Sequence, residues 1–202
     1  HGVAADHTSG SVTTTTGVHT TTGAIEIEAN EDAEIHALAG AASIAIGGGF
    51  VGLAISGAGA FASNVILGST RASVADSALD SFGDVTLVAD NSSVVEAKIV
   101  ALAAAIGAGA VGAGLAVGVT IAKNSIGYDS SGMQASSEVE ATIERSTVKA
   151  GDDLELTATS HQTIDALVVA GAVAAGVGGY GGVGAAGAGV SASNRVSTHV
   201  KA

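Results

Sequence analysis

One stretch constrains this chain more than any other. Residues 99–124, IVALAAAIGAGAVGAGLAVGVTIAKN, carry no charge before Lys123, no proline and no aromatic ring. The stretch also occurs three times. Residues 37–64 and 166–194 repeat its plan: an Ala-rich apolar start, a Gly-rich centre, a second apolar run and a closing asparagine. The closing residues Asn64, Asn124 and Asn194 lie 60 and then 70 residues apart. Self-similarity at such a period marks a repeat array, in which each unit buries its apolar face against its neighbours.

The rest of the unit repeats as well. Residues 25–29, 85–89 and 154–158 are short runs with period-two alternation, each followed by a few polar residues and then the apolar block. After the block, residues 69–77 resemble 139–146, and the final residues 196–202 begin the same element again. The units read as 25–84, 85–153 and an incomplete 154–202 within one array spanning 1–202. Residues 1–24 read as the end of a preceding unit: two short strands separated by a turn at Gly17. The ten extra residues of the second interval fall at 125–134, SIGYDSSGMQ, and are expected to form a loop at one corner.

The apolar block is long enough to be a transmembrane candidate, and its small-residue spacing suits packed membrane helices. Its second half points elsewhere. Val111, Leu115, Val117 and Val119 alternate with Gly112, Gly114, Ala116 and Gly118, so large side chains hold one parity and small ones the other. That is a strand with a bulky face and a Gly/Ala face. Val51, Leu53, Ile55 and Phe61 share the bulky parity in the first unit; the third keeps Val183 and its glycines but blurs the pattern. The first halves alternate weakly and are Ala-rich, so a short helix stands there as the minority reading.

Strands about 60 residues apart cannot pair as hairpins with their counterparts, so they pair in parallel from one coil to the next. The expected fold is all-β: a parallel β-solenoid (β-helix) of about three 60–70-residue repeats with long Gly/Ala-rich apolar strands. With one wide coil per unit, Asn64, Asn124 and Asn194 form a structural ladder. Three narrow coils of about 20 residues per unit are the alternative geometry. In the wide coil each block folds back as a flattened arch. Gly112, Gly114 and Gly118 let its sheets approach closely, while Val51, Leu53, Ile55, Val111, Leu115, Val117, Val119 and Val183 fill the other layer. Both faces are expected to be buried, one by closing the arch and the other by a neighbour.

This strand-and-corner pattern is carried by Ala141, Ile143, Ser146, Val148, Ala150, Gly151, Asp152, Leu154, Leu156, Ala158 and Asn194. A weaker copy holds Val74, Ser77, Leu79, Gly83, Asp84, Val85, Leu87, Ala89 and Asn124. It resembles the repeats of large bacterial surface proteins, the filamentous-haemagglutinin-like and leukotoxin-like adhesins. The resemblance implies a secreted, self-assembling solenoid rod, exported through the outer membrane and adhesive or scaffolding in role.

Chemistry is sparse. The six histidines, His1, His7, His19, His36, His161 and His199, show no metal-ligand spacing and read as strand-face residues. Asp152, Asp153 and Glu155, with Asp84 one unit earlier, are hard oxygen ligands of the kind Ca2+ takes at a corner. The Gly-Gly-x-Gly-x-Asp pattern of calcium-binding rolls is missing, so no cofactor is called for. Arg71, Arg145 and Arg195 at comparable corners read as a ladder, not a catalytic cluster. The threonine runs 13–16 and 20–22 do not recur on later units, as an ice-binding face would require. Seven Lys and Arg against 19 Asp and Glu give a net charge of −12, which argues against nucleic acid as a partner.

The function expected is structural: an extracellular or cell-surface filament, sheath or adhesin stalk without catalysis. It self-associates laterally or end to end through the apolar strands. A host or neighbouring-cell surface is the second partner class. Acidic positions Glu26, Glu28, Asp32, Asp80, Asp84, Glu138, Glu144 and Asp153 would stay in water and limit clumping. The alternative is a membrane-inserting protein or pore whose blocks are Gly-zipper helices.

Overall fold

The computed structural model describes residues 4–8, 17–135 and 137–202. They form an all-β parallel solenoid. The first coil consists of β3 (Ile25–Ala75) and β4 (Ala78–Asp80). The second is β5 (Val85–Ile126), β6 (Glu138–Glu144) and β7 (Thr147–Lys149), and the third β8 (Leu154–Val196) and β9 (His199–Lys201). Before them, β1 (Ala4–Thr8) pairs in parallel with Val65–Ser69, and β2 (Val18–His19) with Leu79 and Asp80. Gly17 lies outside both strands; the threonines at 13–16 lie outside the described residues.

Register decides the coil width. Val85 sits between Ile25 and Leu154, Ala89 between Ala29 and Ala158, and Asn124 between Asn64 and Asn194. Each repeat is therefore one wide coil, and the narrow three-coil geometry does not form. The Ala-rich first halves are strand throughout: that of the second coil pairs with a coil on each side, and those of the first and third pair with the second. Helix propensity of alanine loses to that continuous ladder.

Each coil is a flattened strip of two facing leaves. In the first, residues 25–49 form one leaf and 50–75 return along the other, with odd positions inward on the outgoing leaf and even positions inward on the return. Three apolar clusters lie along the strip. One end packs Ile25, Ala29, Ala72, Val74, Leu79, Val85, Leu87, Val139 and Ala141. The middle packs Ala33, Ile35, Ile66, Val95 and Ile126. The far end is an alanine cluster built on Ala54, Ala58, Ala101, Ala103, Ala105 and Ala116. The second coil is covered on both sides, so Val85, Leu87, Val95 and Ile99 are wholly buried. Each such side chain contributes about 2 kcal/mol of transfer free energy.

A polar layer separates the first two clusters. Residues 30–32 and 90–93 read as polar connectors in the sequence, yet the strand runs straight through them and every second side chain still turns inward. Glu31 and Asn91 are thereby buried. The Thr70 hydroxyl donates to Glu31 Oε2 at 2.8 Å, Asn91 Nδ2 donates to Thr70 Oγ1 at 3.3 Å, and Ser93 Oγ donates to Asn91 Oδ1 at 3.1 Å. Buried polar groups persist where they are partnered.

Two sequence expectations are corrected. The extra residues are not a corner loop at 125–134. Residues 127–137 separate Ile126 from Glu138, where only Leu67 and Gly68 separate the equivalent Ile66 and Ser69. The insertion thus leaves the flat of the return leaf, and is closed by Gly127 N–H to Ile66 O at 3.0 Å and Ala135 N–H to Gly127 O at 3.0 Å. Gly127 takes φ 75°, which lets the chain leave the sheet plane sharply. The remaining extra residue lies at the tip of the third coil, where Gly179 and Tyr180 face Ala110 alone.

Nor do the arginines form a ladder. Arg71 sits beside Glu140 and pairs with Glu138, and Arg195 sits beside Ser125. Arg145 is at a corner, with φ 47°, bonded to Asp76, which takes φ 49° one coil earlier. The arginines occupy different columns of the coil, and Arg71 and Arg145 each meet an acidic side chain of the adjacent coil.

Candidate functional site

The alanine-rich end of the strip is a two-leaved fin made of residues 37–64, 97–124 and 166–194. It contains no charged side chain except Lys98 and Lys123, both on the second coil near the root. Its interior is made of the smallest side chains. Ala101, Ala103, Ala105 and Gly107 face Gly112, Gly114, Ala116 and Gly118. A Cβ placed on Gly114 would lie 2.6 Å from Ala175 O and 3.0 Å from Ala105 O, and one on Gly118 2.6 Å from Gly171 O. Gly112 is closer still, its Cβ site 2.5 Å from Gly107 O on the facing leaf. Glycine is needed here because main chain meets main chain.

Two hydroxyls tie the leaves together. Ser56 Oγ donates to Ser43 O at 2.9 Å with Ser43 Oγ also at 2.9 Å, and Thr120 Oγ1 donates to Val169 O at 3.0 Å. At the root stands the asparagine column. Asn64 Nδ2 donates to Asn124 Oδ1 at 2.8 Å, and Asn124 Nδ2 donates to Asn194 Oδ1 at 2.9 Å. Asn124 is fully enclosed. Its amide carries a donor and an acceptor, so identical residues stacked in register satisfy one another.

The outer faces are the reverse of the interior. On the return leaf Val51, Leu53 and Ile55 are 67%, 62% and 65% exposed, and Phe61 also faces outward. Val111, Leu115, Val117, Val119 and Val183 continue that face on the next two coils. The outgoing leaf presents Leu38, Ile44, Ile46, Leu102, Ile106, Leu167, Val173 and Val177. Phe50 and Tyr180 stand exposed at the tip, beside Gly49 at φ 139° and Gly181 at φ 157°. The bulky residues singled out in the sequence thus share one face, and Gly112, Gly114 and Gly118 share the surface behind it. The matching outgoing face was not legible, because alanines obscure its alternation; Leu38, Ile44, Ile46, Leu102 and Ile106 at even positions, with Leu167, Val173 and Val177 in the third unit, are scattered signals of it.

Charge gathers away from the fin. Glu26, Glu28 and Asp32 point outward from the body. His36 lies between Glu34 Oε1 at 2.7 Å and Glu96 Oε2 at 3.0 Å. Arg145 binds Asp76 through two hydrogen bonds of 2.6 and 2.8 Å, which hold the Asp76 carboxyl below the usual carboxylate range. In the inserted loop the Ser131 hydroxyl, then the Met133 N–H, lower Asp129 in the same way. The Asp84 carboxylate accepts the Asp153 N–H at 2.9 Å. Among the described residues no three His, Asp or Glu side chains are grouped to hold a metal ion. His36 sits beside Glu96 in the column that ends at Asp165, and His161 sits beside Ser92, so the two histidines do not align. No protein-family model, curated protein or solved structure matches this chain.

Proposed function

We propose that this chain is a structural segment of an extracellular filament, sheath or adhesin stalk that self-associates through its fin and has no catalytic role. One observation carries the reading: a fin whose only charges are Lys98 and Lys123 near its root, closed inside by glycine and alanine, turns bulky aliphatic side chains outward on both faces. Water-exposed apolar patches above a few hundred Å2 mark association sites. The fin exceeds that several-fold on any count of its exposed aliphatic residues.

A solenoid supports the scaffold reading because its length grows by adding coils without changing the cross-section. Acidic outward positions on the body keep such a rod soluble and disfavour indiscriminate collapse. A cell-surface location, attached at an outer membrane, and contact with a host or neighbouring cell follow from the same reading and from the repeat pattern. The Gly-zipper alternative lacks support, since the blocks are strand and no helix among the described residues is long and apolar enough to cross a membrane.

The test is sedimentation velocity of the purified chain with negative-stain electron microscopy of the same sample. Concentration-dependent assemblies are expected. A monodisperse monomer at every concentration up to the solubility limit would overturn the proposal.

A further inference from the structure

Resting on that reading, we infer that the fin has two separate docking faces, each pairing with the same face of another copy, so that association is open-ended and laterally stacked.

Each face by itself is large enough. The exposed aliphatic side chains of the return face, from Val51 to Phe61 with their neighbours on the next two coils, amount to on the order of 900 Å2. The outgoing face, from Leu38 to Ile46 with its neighbours, is similar. A standard stable interface takes roughly 800 Å2 from each partner. One partner on one face therefore makes a complete interface and leaves the opposite face in water. A closed dimer cannot cover both faces of a two-leaved fin, because they look in opposite directions.

Relief favours another fin as the occupant. On the return face Val117 and Val119 stand between Gly57 and Gly59 on the first coil and Gly187 and Gly189 on the third. Cβ positions at Gly187 and Gly189 meet nothing within 4 Å, and those at Gly57 and Gly59 meet only a carbonyl near 4 Å, so these are open hollows. They alternate with the valines at the inter-coil spacing of about 4.8 Å. A second sheet with the same alternation, displaced by one coil, offers hollows to these valines and valines to these hollows. The outgoing face also alternates large with small side chains, with Leu102 between Ala42 and Gly171 and Ala104 between Ile44 and Val173, although Leu102 leans over Gly171 and leaves no open hollow there. A fluid lipid surface would have no use for a relief with this period.

Charge sets the condition. Outside the fin the chain carries 5 Lys and Arg against 19 Asp and Glu, a net −14, while the fin carries only Lys98 and Lys123, so the bodies that flank stacked fins repel one another. Added salt screens that repulsion, and stacking strengthens with ionic strength.

The experiment compares four forms of the whole chain by sedimentation velocity, with far-UV circular dichroism to check the fold. They are the parent, a return-face variant (Val117→Lys with Val119→Lys), an outgoing-face variant (Leu102→Lys with Ile106→Lys) and the combination. All four sites are on the surface, so the strand spectrum should persist; Val117→Thr with Val119→Thr and Leu102→Thr with Ile106→Thr replace any pair that unfolds. The parent should give a broad series that grows with concentration and salt. Each single-face variant should stop at a dimer, and the combined variant should be monomeric.

If one single-face variant is already monomeric, the two-face inference fails while self-association stands. If single-face variants assemble like the parent, the fin faces are not the docking surface. A monomeric parent defeats both readings. Flotation with phosphatidylcholine–phosphatidylglycerol vesicles, lost in the combined variant, would assign the faces to lipid and overturn the inference.

Discussion

The fin interior allows a sharp test in which the same substitution has opposite signs at two positions. Gly114→Ala adds one methyl group where the nearest atoms are Ala175 O at 2.6 Å and Ala105 O at 3.0 Å. Both are main-chain atoms, one on a neighbouring coil and one on the facing leaf, so no side chain can rotate away. Relief requires the leaves to separate, which loosens the alanine cluster on either side. Overpacking a rigid site costs about 1–3 kcal/mol, and the upper end applies where backbone must move. Gly57→Ala adds the same methyl on the outer face, where the closest atom is Val117 O at 4.0 Å. There the gain is roughly 0.5–1 kcal/mol, from reduced freedom of the unfolded chain. The two variants should therefore differ by about 3–4 kcal/mol. For a chain of this length that separates their melting temperatures by roughly 6–16 °C, at 2–4 °C per kcal/mol. Melts followed by far-UV circular dichroism at one fixed concentration read the difference. Equal melting temperatures, or Gly57→Ala as the less stable variant, would refute the picture of leaves in main-chain contact.

The asparagine column and the charged corner give further outcomes. Asn124→Ala removes hydrogen bonds of 2.8 and 2.9 Å and leaves Asn64 Nδ2 and Asn194 Oδ1 without partners, at a cost of about 2–4 kcal/mol in urea unfolding. Asn124→Asp should be unstable at neutral pH and recover in acid. The ionised carboxylate cannot donate to Asn194 Oδ1, burial raises its native pKa, and the deficit disappears as pH falls below the unfolded carboxylate range. At the corner, Arg145→Gln should return the Asp76 carboxyl to the ordinary range by carbon-13 NMR titration. In the parent, the stabilisation from this pair is present above the unfolded carboxylate pKa and is lost as pH falls through the lowered native value of Asp76. Replacing residues 127–137 by Leu-Gly, the pair found at Leu67 and Gly68, should leave the circular dichroism spectrum intact, because the neighbouring coils close the same gap with two residues.

What the sequence determined was periodic. The spacing of Asn64, Asn124 and Asn194, and the strict parity of residues 111–119, sufficed for a parallel solenoid with a small-residue face and a bulky face, since register in a parallel stack follows from identical residues seeking identical neighbours. Tertiary structure decided what a period cannot carry. Alanine in residues 101–106 suits helix or strand alike, and only the ladder to both neighbouring coils made it strand. Glu31 and Asn91 look like connector residues until the facing leaf supplies Thr70 as their partner. The loop at 127–137 could have left the coil at any polar position, and it leaves where Gly127 turns out of the flat leaf. Most of all, whether the bulky face of each block looked into a core or into water depended on which leaf lay opposite. Glycine at 107, 112, 114 and 118 lets the small faces close on each other, and that closure turns every large side chain of the fin outward.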